Sequence, residues 1–161
     1  MYLLMFSVGI SVGKQKGILS KLVKFNVKIL IVPLGIIVCS LIGGVVCGLI
    51  LNYPIYAAIS ISGGLGWYSL AGVTIGNLAG ASIGSVAFLS NLMREIASFI
   101  LITFVAKHCN SYTCIAIAGA TSEVTTLPMI MRNTDAQTAV FSVVNGVICS
   151  TFVPILFSIC Y

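Results

Sequence analysis

The chain is a succession of long apolar runs cut by short polar interruptions. The first run, Tyr2 to Val12, is shorter than the ~20 apolar residues one membrane crossing needs. It reads as the second half of a crossing whose first half is missing. No basic residues precede it and no small-residue cleavage site follows, so it does not read as a signal peptide. A Lys-rich stretch, 14–28, comes next. Residues 29–51 form the first complete span, with Pro33 in its first turns, where a missing N–H does little harm. Ser40, Gly44 and Gly48 recur every four residues, a stripe of small residues that admits a close helix neighbour. Asn52-Tyr53-Pro54 makes a turn.

Residues 55–81 are apolar but do not read as one regular helix. Ser60, Ser62, Gly63, Gly64 and Gly66 precede Trp67-Tyr68-Ser69, and Gly72, Gly76, Gly80 and Gly84 follow at steps of four. Each glycine weakens a helix by ~1 kcal/mol relative to alanine. Residues 63–72 are therefore read as a helix break inside the membrane, tolerated there only where protein or a water-filled cavity covers it. Residues 83–106 are the next span, and Lys107-His108-Cys109-Asn110 a short loop. Residues 111–132 form a second broken segment, with the break at 119–128, and Arg132 to Asp135 is a polar turn. The last span, 137–160, is interrupted by Asn145-Gly146 and Pro154. A broken helix followed by a full helix thus occurs twice. Phe88 and Asn91 of the first unit loosely echo Phe141 and Asn145 of the second, off by one residue.

Composition turns these runs into a membrane protein. Hydrophobic residues make up 59% of the chain and charged ones 7%, where a soluble domain has roughly 25% charged. Mean hydropathy is +1.16. A soluble globular domain, secretion and disorder are all disfavoured, and soluble enzyme chemistry with them; no catalytic motif is present. The expected fold is all-α: a single transmembrane domain over 1–161, with about five to six segments and two broken helices near the midplane. The net charge of +5 does not indicate nucleic acid. Lys14, Lys16, Lys21, Lys24 and Lys28 read as a cytoplasmic loop, 14–28, against anionic headgroups. Asn52–Tyr56 is then outside, Gly80 inside, Lys107-His108 outside, Arg132 inside and Tyr161 outside. Lys107 alone departs from the positive-inside rule. The cysteines have no zinc spacing and read as small hydrophobes; no metal or cofactor is expected.

Function has to be sought in polar groups within the apolar runs. Asp135 stands in a loop beside Arg132 and reads as solvated. Glu95 lies at the centre of 83–106, where a charge costs roughly 2.5–3.5 kcal/mol. Asn91, four residues earlier, shares its face, while Arg94 is turned by about 100°. Either Arg94 and Glu95 satisfy neighbouring helices and lock the fold, or Glu95 lines an aqueous path and takes a proton or a cation. Glu123 sits among small polar residues. There, half-helix N-termini would attract carboxylates and unwound carbonyls would attract cations, and an amino acid carries both groups. The plainer reading has Thr121 or Ser122 cap a helix that continues through Thr125. Trp67-Tyr68 lie among glycines and suit a site wall or close packing.

Three motifs together resemble the bacterial lysine exporter LysO family. They are Gly64-Leu65-Gly66-Trp67-Tyr68-Ser69-Leu70-Ala71-Gly72, Ala87-Phe88-Leu89-Ser90-Asn91-Leu92-Met93-Arg94-Glu95, and Gly119-Ala120-Thr121-Ser122 leading to Thr125-Thr126-Leu127-Pro128. Ser40-Leu41-Ile42-Gly43-Gly44 and Val153-Pro154-Ile155-Leu156 fit as well. The resemblance implies export of L-lysine and thialysine across the bacterial inner membrane, coupled to protons. The family's Arg-Glu motif matches Arg94-Glu95, and with the polar groups and breaks read above the expected transport site is Asn91, Arg94 and Glu95, with substrate contacts from Gly66, Trp67, Tyr68, Ser69, Thr121, Ser122, Glu123 and Thr125. The family usually has Asp where this chain has Val124; here the acid is one place earlier, at Glu123. Relatives also carry further N-terminal helices, on the same chain or as a separate small protein. Half of a two-chain exporter, a homo-oligomer or a truncated frame is therefore expected. The competing functions are a cation/proton antiporter and a non-transporting subunit.

Overall fold

The computed structural model describes residues 28–160. The Tyr2–Val12 run, most of the Lys-rich stretch and Tyr161 lie outside them. The elements are α1 (Lys28–Ile50), α2 (Ile55–Gly63), α3 (Tyr68–Ala79), α4 (Ala81–His108), α5 (Ser111–Ala118), a short 3-10 helix (Gly119–Glu123), α6 (Leu127–Asn133) and α7 (Ala136–Cys160). The described chain is all-helical, as the apolar runs require. Helices α1, α4 and α7 are each long and apolar enough to cross a membrane. Their outward faces carry large apolar side chains, among them Ile50, Met93, Ile100, Phe104 and Ile159. So much exposed apolar surface is foreign to a soluble monomer and suits lipid.

The small-residue stripes set the packing. A Cβ on Gly44 would overlap Ser62 Oγ, and one on Gly48 would lie 2.9 Å from the Ala58 Cβ. The stripe on α1 therefore receives α2, running antiparallel. Gly80, at φ +95°, turns α3 back into α4. A Cβ on Gly84 would lie 2.5 Å from Gly76 Cα, and one on Gly72 would lie 2.9 Å from Phe88 Cβ. Gly76, Gly72 and then Gly64 meet successive turns of α4, at Gly84, Phe88 and Asn91. Helix α3 thus runs antiparallel along α4, and the first break reaches α4 at Asn91. Leu65, Ile75, Cys149, Val153 and Phe157 form the main core beside them.

Four expectations are corrected. The first break is narrower than 63–72. The helix stops at Gly63 and resumes at Tyr68, because Leu65 (φ +50°) and Gly66 (φ +98°) complete the turn within four residues. The last span is not interrupted: α7 continues through Asn145-Gly146 and Pro154. Gly146 packs against Glu123, and Pro154 costs one backbone bond inside a helix held by its neighbours. Lys107 and His108 belong to the last turn of α4, not to a loop. Of the cysteines, only Cys114 and Cys149 are buried, while Cys39, Cys47 and Cys109 are exposed.

Candidate functional site

The two breaks meet. The Ala120 N–H donates to the Leu65 carbonyl at 3.1 Å. Gly119 takes φ +64°, and a Cβ there would lie 2.8 Å from that same carbonyl. A side chain at 119 would therefore be strained and would push the segments apart.

Asn91 holds the first break. Its Oδ1 accepts from the Gly66 N–H at 2.8 Å, and its Nδ2 donates to the carbonyls of Ile61 (2.9 Å) and Ala87 (3.0 Å). An amide is the one side chain that offers an acceptor and two donors at a single position. A Cβ on Gly64 would lie 2.7 Å from this amide, so the backbone passes directly over it.

The second break is held from α7. Asn145 Nδ2 donates to the Gly119 carbonyl (3.1 Å) and to Ser122 Oγ (3.0 Å). Ser122 and Ser142 exchange hydroxyl-to-carbonyl bonds at 2.9 and 2.6 Å. The Thr126 N–H and hydroxyl both turn back to the Thr121 carbonyl. The capped-helix reading of Thr121 or Ser122 does not hold. The Thr121 hydroxyl donates backward to the Ala118 carbonyl, and no α-helix runs through Thr125. Glu123 is the last residue of the 3-10 helix and Val124, at φ −126° and ψ −75°, leaves it, so no regular helical turn relates positions 123 and 124.

The charged residues separate. Glu95 is 5% exposed; its Oε1 is buried, and among the described residues no donor reaches its carboxylate. Arg94 forms no ion pair with Glu95. Its Nη1 instead donates to Ser40 Oγ at 3.3 Å, while Ser40 donates to the Ser62 carbonyl at 2.8 Å. The guanidinium also lies over Gly119, with Nη2 3.1 Å from where a Cβ would stand. Glu123 accepts from the Ser150 hydroxyl on α7 at 2.9 Å.

Gly66, Asn91, Arg94 and Thr121 therefore come together, with Thr121 Cγ2 3.5 Å from a Cβ on Gly66. Ser122 is buried against α7. Trp67 packs on the main core, and Tyr68 stacks edge-on against Phe88 at 5.4 Å. Ser69 is exposed and stands apart. Thr125 keeps a buried Oγ1 without a partner among the described residues. Ser40 and Asn145 were not among the sequence candidates. Asn145 had a signal: it follows Gly119 by 26 residues, as Asn91 follows Gly66 by 25. A groove of about 940 Å³ opens beside Arg94 between α1, α2, α4 and α5, with Ser40, Ser90 and Asn91 on its wall.

The family described as Lysine exporter LysO matches residues 1–161. The protein named "Lysine exporter LysO" from Escherichia coli (strain K12) is 38% identical over 154 residues, covering 96% of this chain and 51% of that protein. The protein named "Putative lysine exporter" from Haemophilus influenzae is 37% identical over 153 residues, covering 95% of this chain and 77% of that protein. The chain thus spans about half the length of the first relative. No solved structure matches it.

Proposed function

The chain belongs to the lysine exporter LysO family, and we propose that it moves L-lysine outward across the bacterial inner membrane in exchange for protons, alone, as a homo-oligomer or beside a separate small membrane protein. The observation that carries this reading is Glu95, a carboxylate 5% exposed whose buried Oε1 has no hydrogen-bond partner among the described residues, one turn from the Asn91 that pins a helix break. A fold keeps an intramembrane acid in that condition at a cost, and such acids mark ion and proton paths. Glu95 is the proton or ammonium site, and Asn91 fixes the break beside it. Those groups of the two breaks, from Gly66 to Tyr68 and from Thr121 to Thr125, that the fold does not already pair supply the substrate contacts. Broken helices serve this purpose because their freed backbone groups are available to a ligand at membrane depth. Thialysine differs little from lysine in shape and charge and follows the same path.

The test is Glu95→Gln, expressed in an exporter-deficient bacterium loaded with a lysine dipeptide. The variant should reach the membrane at normal abundance and export no lysine, while Glu95→Asp retains partial export. Normal efflux per molecule in Glu95→Gln would remove Glu95 from the transport path.

A further inference from the structure

Arg94 is a cation at the centre of a spanning helix for which the fold provides no counter-charge. Among the described residues no carboxylate pairs with it. Glu95 points to another side of α4, and Glu123 is engaged by Ser150. Its one hydrogen bond among the described residues, from Nη1 to Ser40 Oγ, is long at 3.3 Å. Ser40 spends its own proton on the Ser62 carbonyl, so it can only accept from the guanidinium. No Arg94 nitrogen is both buried and unpartnered among the described residues, and Arg94 lines the ~940 Å³ groove. Gly119 leaves room for the guanidinium to lie over the start of the second break.

A guanidinium fork lining an apolar groove is matched by a carboxylate, which accepts two parallel N–H bonds in its plane. The groove is within the ~300–1,000 Å³ usual for small-molecule sites. We propose that Arg94 receives the α-carboxylate of the amino-acid substrate, with Ser40 as the residue that orients the guanidinium. This rests on the lysine-export reading and adds to it which end of lysine is recognised and where. The other role open to Arg94 is to neutralise the carbonyl end of α2 through Ser40 and Ser62. That role makes no distinction between substrates with and without a carboxylate.

The experiment uses inside-out membrane vesicles from an exporter-deficient bacterium carrying the full chain. Accumulation of labelled lysine is competed with unlabelled lysine or with lysinamide, whose carboxylate is an amide. With the wild-type chain, lysinamide should compete at least about tenfold more weakly, as expected for loss of a charge-assisted pair. In Arg94→Gln, lysine itself should weaken and the two competitors should come within about twofold. Arg94→Lys should keep part of the preference. Equal competition in the wild type overturns the proposal without any variant having to fold. A wild-type preference that survives intact in Arg94→Gln at matched abundance also overturns it. A wild-type chain that accumulates no lysine overturns the export reading itself, a result distinct from equal competition.

Discussion

Asn91 and Asn145 do the same work on two different helix breaks. Each sits on an intact helix and bonds backbone of the broken helix that precedes it. Asn91 reaches Gly66 25 residues back, and Asn145 reaches Gly119 26 residues back. The one-residue offset between the two units in the sequence is the same offset. Asn91 is 3% exposed and Asn145 fully buried, so water cannot stand in for either amide.

Asn91→Ala should therefore destabilise the protein by on the order of 2 kcal/mol, since the Gly66 N–H and the Ile61 carbonyl lose a buried partner. Asn145→Ala should act in the same direction. Thermal unfolding in detergent, read beside membrane abundance, checks both. If only one variant is destabilised, the two asparagines are not equivalent.

Gly84→Ala should cost about 1–3 kcal/mol by overpacking, because its Cβ would meet Gly76 Cα at 2.5 Å and the Gly72 carbonyl at 2.8 Å. Gly43 has nothing within 4 Å of a Cβ. Gly43→Ala in the same chain should be neutral or stabilising by up to roughly 1 kcal/mol. Equal effects of the two changes would mean that α3 and α4 do not approach as described.

The Glu123–Ser150 contact separates charge from hydrogen bonding. Glu123→Gln keeps an oxygen that the Ser150 hydroxyl can reach, so stability should change little. Ser150→Ala leaves the acid without its donor and should lower stability by about 1 kcal/mol. If Glu123→Gln nevertheless reduces lysine efflux at normal abundance, the charge itself is used in transport.

Read as one broken crossing, α2 and α3 put Asn52 and Gly80 on opposite faces of the membrane. A reporter or a single accessible cysteine at Asn52, Gly80, Asn110 and Thr134 should read outside, inside, outside and inside. Labelling of Asn52 and Gly80 from the same side would make α2 and α3 a re-entrant hairpin.

Asp135, in the turn before α7, accepts the Thr138 hydroxyl, and that bond holds its carboxyl below the usual aspartate range. A depressed carboxyl stabilises the fold above its unfolded pKa, and the contribution is lost as pH falls through the folded value. Asp135→Asn should therefore flatten the acid limb of a stability–pH curve. An unchanged acid limb would show that the exposed bond contributes nothing.

The helical class, the intramembrane breaks and the small-residue stripes were legible in the sequence, because each is a local property. Runs of about 20 apolar residues must be helices in lipid, since no water satisfies their backbone. Glycines at steps of four must share one face, and Gly44, Gly48, Gly76 and Gly84 do meet neighbouring helices. Even the Asn91–Asn145 echo was visible as spacing. What each polar group touches was decided only by the tertiary structure. Arg94 stands next to Glu95 in the chain, yet it bonds Ser40, 54 residues away. The Leu65 carbonyl is taken by the Ala120 N–H, from the other break. Helical periodicity assigns a residue to a face but not to the partner helix or the level along it. Those depend on how glycine-lined surfaces close on one another, and here that closure brought Arg94, which the helix already turns away from Glu95, to Ser40 of α1.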